Sequence, residues 1–267
     1  MVDIEEEIRK KLERKEKTYE TEQLMKIKRS EEYEALEEVF DKPTLMTIYD
    51  LMNEGWIDEI YGAIKAGKES KLYWGIHPDG TELAIKIYLT VTAEFRKGML
   101  TYISGDPRFE RIRRNPRSII YLWARKEFKN LTEAYQAKVR VPKPYTVKNN
   151  VLLMEFIGKN GVSAPLLREV ELSNPERIYR QIILYIKRLY VKAKLVHGDL
   201  SEYNIMVWRG KPVIFDVSQA VSIEHPNADQ FLWRDINNIN RYFAELGVEV
   251  QDSEEIYRRI TGAGDLR

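Results

Sequence analysis

The 267-residue sequence predicts an α+β protein in two lobes, and three observations carry that reading. Residues from Ile57 to Thr90 alternate in character through "IDEIYGAIKAG", "KLYWGIHPDG" and "TELAIKIYLT". With Pro78-Asp79-Gly80 turning the last two, they read as three antiparallel strands. Asn115-Pro116 and Asn174-Pro175 each set a capping side chain before a proline, the signature of a helix start. Short apolar stretches on both sides of "HGDLSEYN" then read as strands, followed by two closing helices.

In chain order, residues 3–40 interleave Glu with Lys and Arg and predict one or two helices with solvated, charged faces rather than a partner site. Pro43-Thr44 opens a short helix that Gly55 ends, and residues 1–55 are expected to form a helical extension packing on the rest. After the three strands, residues 91–114 carry no clean period and end in "RFERIRR". A long mobile connection is expected there, of a length that suggests function in a compact domain. The helix from Pro116 runs to about Ala137, and two strands follow near 139–148 and 150–157. A loop with Gly158, Gly161 and Pro165 leads to the second long helix, which reaches about Lys194. Short strands cover Ile205–Trp208 and Val213–Asp216, and helices 227–246 and 253–261 close the chain. The lobes are then 56–155 and 156–267, joined near Glu155–Gly158.

Composition narrows the chemistry. There is no cysteine, which excludes disulfides and thiolate metal sites. The histidines, His77, His197 and His225, are too dispersed for a histidine metal site. A net charge of +1 gives no global field toward nucleic acid. No apolar run has the length of a membrane span and no apolar signal region opens the chain, so a cytoplasmic protein without membrane contact is expected.

The stretch "GAIKAGKES", Gly62 to Ser70, falls one residue short of a P-loop, since Glu69 stands where the hydroxyl residue belongs. A carboxylate there repels phosphate, and Ser70 to His77 alternates as a strand instead of opening a helix. A glycine loop between antiparallel strands also covers phosphates in protein kinases, and a plain hairpin turn explains the stretch equally well.

Four further sites occur in the order that protein kinases need. In "LAIKIY", Leu83, Ile85 and Ile87 share one face of a strand, while Ala84, Lys86 and Tyr88 share the other. Lys86 could reach α- and β-phosphates, although a lone strand lysine is commonly solvated. Glu127 interrupts the apolar stripe of Ile120, Trp123, Leu131 and Ala134, where a charge is costly unless paired. Lys86 is its natural partner; a boundary glutamate reaching solvent is the other reading. In "HGDLSEYN", Asp199 can take the proton of an attacking hydroxyl and Asn204 can hold magnesium by its amide oxygen. His197 reads as a structural hydrogen-bonding residue. In "VIFDVS", Asp216 ends an apolar strand, placed to bridge magnesium to β- and γ-phosphates. Each residue alone has a bland surface reading, but the ordered set does not.

From about Ile57 to Phe243 the chain resembles the RIO family of atypical serine protein kinases, on "GKES", "LAIKIY", "KEFKNL", "LLMEFIGKNGVSAPLL", "HGDLSEYN", "IFDVSQAV" and "HPNADQFLWRDINNINRYF". "FIGKNG" followed by "APLL" resembles its RIO-one branch. The resemblance implies a two-lobed, protein-kinase-like fold, with an antiparallel N-lobe sheet, one long helix and a reduced helical C-lobe. It implies Asp199 as catalytic base, Asn204 and Asp216 as metal ligands, and Lys86 paired to Glu127 on the phosphates. Lys68, Glu69 and Ser70 belong to the covering loop, and backbone groups of Glu155 and Ile157 would hold adenine. ATP with Mg2+, or Mn2+, is the implied cofactor. Autophosphorylation on serine and a role in maturation of the small ribosomal subunit, with its protein and rRNA, are implied as well. Lys65-Ala66 departs from the Ser-Thr of relatives.

Gly198 stands where ordinary kinases carry an arginine, and 51 residues follow Asp216, so no activation segment or peptide groove is expected. Two other readings stay open. One is an ATPase switch on pre-ribosomes, acting through phosphorylation of Asp216, with Arg108, Arg111, Arg113, Arg114 and Arg117 touching rRNA. The other is a small-molecule kinase of aminoglycoside or choline type, which the short tail disfavours.

Overall fold

A computed structural model describes residues 39–67, 69–89, 93–109 and 115–262. The first described helix, α1 (Lys42–Asn53), is capped by Asp41, whose carboxylate accepts from the Thr44 N–H at 3.1 Å. Its buried face, Thr44, Thr47, Ile48 and Leu51, recurs at helical spacing. That face covers one side of a five-stranded antiparallel sheet made of β1 (Glu59–Ala66), β2 (Ser70–Ile76), β3 (Glu82–Tyr88), β4 (Pro144–Lys148) and β5 (Val151–Glu155). The spatial order is β1-β2-β3-β5-β4, so β3 is central. Leu83, Ile85 and Ile87 pack with Ile48 and Leu51 on the α1 side, and Lys86 and Tyr88 point to the opposite side, as strand alternation requires.

Within the long connection expected at 91–114, the described residues hold regular structure that the sequence pattern did not show. Ala93–Ile103 is a helix, α2, and Pro107–Phe109 a short 3-10 turn. Met99 and Ile103, four residues apart, enter an apolar cluster with Tyr88, Ile120 and Trp123, burial that outweighs a sequence with no clean helical period. Residues 110–114, with Arg111, Arg113 and Arg114, lie outside the described residues, as do 1–38 with most of the expected N-terminal helices.

The long helix α3 (Pro116–Gln136) is capped by Asn115, which accepts from the Ser118 N–H at 2.7 Å. The strand expected at 139–148 begins only at Pro144, because Pro142 and Pro144 have no N–H to give a ladder. The loop expected after Phe156 holds a small hairpin, β6 (Gly158–Lys159) and β7 (Val162–Ser163). Gly161 sits there at φ 74° with Trp74 2.9 Å from where a Cβ would lie. Glu82 ties this hairpin to the sheet by accepting from the N–H groups of Asn160 (2.9 Å) and Gly161 (3.0 Å) and from Trp74 Nε1 (2.9 Å).

In the second lobe α4 (Pro175–Arg188) buries Ile178, Ile182 and Ile186. The helix expected to reach Lys194 changes to a π turn at Leu189–Ala193, and Lys194 at φ 56° stops it. β8 (Leu195–Val196) pairs with β11 (Val221–Ser222), and β9 (Ile205–Trp208) with β10 (Lys211–Ile214). Arg209 and Gly210, at φ 52° and 69°, supply the two left-handed residues of a type I′ connection. Helices α5 (Ala228–Glu245) and α6 (Ser253–Thr261) close the lobe. Among the described residues no helix is long and apolar enough to cross a membrane.

Candidate active site

Two adjoining cavities of about 270 Å³ each lie between the lobes. Lys65, Leu72, Met154 and Phe215 line both. The polar cavity adds Glu69, Ser70, Lys86, Glu127 and Asp216. The apolar one adds Ile64, Ala84, Ile157, Ala164 and Met206, with Glu155 at its edge. A long ligand with one charged and one flat apolar end fits such a cleft.

Lys86 is the electrostatic centre of the polar end. Its Nζ donates to both oxygens of Glu127, at 2.9 and 2.8 Å, and to Asp216 Oδ1 at 2.9 Å. Burial works against its charge, but Asp216 and Glu127 outweigh that and hold the ammonium protonated well above its ordinary range. For Glu127, with a side chain 1% exposed, burial dominates and pushes the carboxyl up, while Lys86 draws it down. Burial also works to raise Asp216, but Lys86 and the Ser218 hydroxyl, which donates at 3.0 Å, hold its carboxyl below the usual range. Asp216 stands at φ 57°, two residues beyond the end of β10 at Ile214; the sequence expectation had the strand end on it. This left-handed position turns its side chain, 44% exposed, back toward Lys86.

Asp199 and Asn204 meet one another. The Asn204 amide donates to the Asp199 carbonyl at 2.7 Å and to its carboxylate Oδ2 at 3.2 Å. Donating through nitrogen leaves the amide oxygen of Asn204 without a protein donor among the described residues, and Asp216 Oδ2 is equally free. These hard oxygen donors, one of them a carboxylate held ionised, suit Mg2+ completed by phosphate and water. No group of three or more His, Cys, Asp or Glu able to hold a metal occurs among the described residues, so the protein offers a partial shell. The Phe215 N–H donates to the Asn204 carbonyl at 3.0 Å, joining the Asp199 loop to the Asp216 strand.

His197 is buried between these loops. Its Nδ1 accepts from the Asp199 N–H at 3.3 Å and its Nε2 faces the Phe215 carbonyl at 3.4 Å. Burial lowers its pKa, so it is a neutral, structural ring. Gly198 takes φ 79°, a backbone that an arginine side chain at this position would strain.

Glu69 and Ser70 line the polar cavity; Lys68 lies outside the described residues. Burial, with Asp216 and Asp199 nearby, raises the Glu69 carboxyl against the pull of Lys86. The Glu155 carboxylate is taken up by Arg140, at 2.7 Å through both oxygens. The Ile157 carbonyl accepts from the Ala164 N–H at 2.8 Å. Arg108 does not fit a nucleic-acid contact. Its guanidinium, 13% exposed, is engaged by Asp106 and Glu133 at 2.7 and 2.9 Å. Arg117 pairs with Asp41 at 2.8 Å.

Sequence reasoning missed Asp235. From α5 it accepts the N–H groups of Gly198 and Leu200, each at 2.8 Å, and so grips the loop on both sides of Asp199. Burial pushes its carboxyl up to about 7. The signal was available, because Asp235 interrupts the buried stripe of Phe231, Leu232, Ile236 and Ile239 just as Glu127 interrupts its own.

The RIO domain family model matches residues 71–256. The RIO-type serine/threonine-protein kinase Rio1 of Haloferax volcanii is 41% identical over 238 residues, covering 89% of this chain and 81% of that protein. Its counterpart in Methanocaldococcus jannaschii is 38% identical, covering 87% and 79%. Human RIO1 is 38% identical over 89% of this chain, which spans 42% of that longer protein. Among solved structures, a Rio2 kinase from Chaetomium thermophilum aligns at TM-score 0.61 and 22% identity, covering 80% of this chain and 65% of its own, which supports the protein-kinase-like fold. By its domain and its relatives, the chain belongs to the RIO family and is of the RIO1 type.

Proposed function

We infer that this chain is an ATP-dependent serine/threonine protein kinase of the RIO type. The single observation that carries the reading is Lys86 held by Glu127 and Asp216, each within 2.9 Å, where a polar cavity meets an apolar one. Relatives covering most of this chain are named serine/threonine-protein kinases.

In this reading the backbone of Glu155 and Ile157 holds adenine in the apolar cavity. Lys86, fixed by Glu127, binds the α- and β-phosphates, with Lys68, Glu69 and Ser70 on the covering loop. Asn204 and Asp216 hold Mg2+, or Mn2+, which supplies charge neutralisation at the transferred phosphate. Asp199, exposed beside the Asn204 amide, orients a serine hydroxyl and takes its proton. Autophosphorylation on serine, a cytoplasmic location and work on the precursor of the small ribosomal subunit complete the proposal.

A second reading is favoured by one observation. The Rio2 kinase of Chaetomium thermophilum was solved as an ADP/Mg2+-phosphoaspartate complex, and the corresponding acceptor here would be Asp216, in an ATPase switch. Both readings are tested by incubating the protein with γ-labelled ATP and Mg2+, beside Asp199→Ala. Acid-stable label on serine in the wild type alone supports the kinase. Hydroxylamine-labile label with released phosphate supports the switch, and neither label nor phosphate refutes both.

A further inference from the structure

Lys126, next to Glu127 on α3, carries a chemistry that the phosphate-binding reading leaves unused. It is 0% exposed, and no carboxylate lies within ion-pair distance of it among the described residues. Its ammonium donates instead to backbone carbonyls, to Ser218 at 2.9 Å and to Ala220. One helical turn on, the Asn130 amide donates to the carbonyls of Val217 at 2.8 Å and Ala220 at 2.9 Å. The orientation of that amide is set from its other side, since the Arg108 guanidinium, a pure donor, gives its N–H to Asn130 Oδ1 at 2.9 Å. Donors on one face of α3 therefore converge on three carbonyls of the turn that follows Asp216.

A buried ammonium is costly, and burial pushes this one down to about 7. An apolar side chain would fill the same space at less cost, so packing alone does not account for a lysine here. The geometry does. Glu127 and Asp216 both contact Lys86, and they come from separate elements, α3 and the turn after β10. Lys126 and Asn130 join those elements directly, closing a triangle whose corner is the phosphate-binding lysine.

We propose that Lys126, with Asn130, is a positioning residue that clamps the Asp216 turn to α3, keeping Asp216 and Glu127 assembled on Lys86. The inference rests on reading Asp216 as the metal-binding carboxylate. Loss of the clamp should free the turn and act on metal-dependent nucleotide binding before it acts on the fold.

The test compares wild type, Lys126→Met, Lys126→Gln and Asp216→Ala, with ADP affinity measured with and without Mg2+, beside thermal unfolding and kcat and KM for ATP. Lys126→Met should unfold close to the wild-type temperature, because the buried charge it removes offsets the donor lost by the Ser218 carbonyl. Its Mg2+-dependent gain in ADP affinity should fall about 10- to 100-fold, the range for partners that orient metal ligands. Metal-free affinity should stay unchanged. Lys126→Gln, which retains a donor, should recover part of the loss and covers the case in which the methionine variant does not fold. If Asp216→Ala loses the metal gain while both Lys126 variants stay within twofold of wild type, the clamp is refuted and the metal assignment stands. If Asp216→Ala keeps the gain, the metal assignment itself fails.

Discussion

Replacing Lys86 by methionine should destabilise the protein in a way that depends on pH, and the structure supplies the magnitude. Lys86 gives the hydrogen bonds that both oxygens of Glu127 receive, and the Glu127 side chain is 1% exposed. The other partner, Asp216, is 44% exposed and is hydrated once Lys86 is gone. The lasting penalty thus falls on Glu127. In the wild type, burial raises its carboxyl above its ordinary value, with Lys86 opposing a further rise. In Lys86→Met nothing opposes it and the folded-state value climbs higher. An acid whose folded pKa exceeds its unfolded one costs stability as pH rises between the two values. Wild type and variant share that loss at lower pH, and it ends earlier in the wild type because Lys86 holds its folded-state value down. The variant continues at about 1.4 kcal/mol per pH unit. The gap between them should be about 1 kcal/mol at pH 6, from the partly exposed Asp216 pair. It should reach about 4 kcal/mol at pH 9, within the range for breaking a buried pair from one side. Urea unfolding at pH 6, 7.5 and 9, followed by tryptophan fluorescence, measures it. A gap that does not change with pH, or one that persists in Lys86→Met/Glu127→Gln, refutes the reasoning.

Three further outcomes follow from the site. Asp199→Ala, at an exposed position, should keep the unfolding midpoint and nucleotide affinity yet lose phosphate transfer by about 10²- to 10⁴-fold; unchanged labelling of the protein from γ-labelled ATP would rule it out as the base. Asp216→Ala should weaken ADP binding with Mg2+ and leave metal-free binding little altered, as read by calorimetry. Asp235→Ala leaves the N–H groups of Gly198 and Leu200 without an acceptor, at about 1–3 kcal/mol each. Its denaturation midpoint and kcat should therefore fall together, and an unchanged kcat in a folded variant would show that the loop holds Asp199 without it.

What the sequence made legible follows from the kind of partner each residue has. Lys86 and Glu127 were readable as a pair because a charge inside an apolar stripe calls for an opposite charge, and one lysine lay on the right strand face. The β1–β3 meander was readable because alternation and the Pro-Asp-Gly turn act locally. The helix α2 was not, because Gly98 and its polar neighbours hide a burial that, among the described side chains, rests on Met99 and Ile103 with Tyr102 beside them. The register of the β9–β10 hairpin also hid, since its left-handed connection uses an arginine, Arg209, rather than the asparagine or aspartate that usually marks it.

Asp235, Lys126 and Asn130 form a different class. They hold the two site loops through backbone N–H and carbonyl groups, which every residue carries, so no matching residue type in those loops announces them. What gives them away is the mismatch between a polar side chain and the buried stripe it sits in, and that clue says a partner exists without saying where. The same mismatch led to Glu127 because its partner was a side chain. In this kinase-like fold, the parts that hold Asp199 and Asp216 in place are therefore written mostly in backbone hydrogen bonds. Asp235 grips one loop from α5 and Lys126 faces the other from α3. The residues of the candidate site can be read as a motif, while the groups that hold them become visible only once the chain is folded.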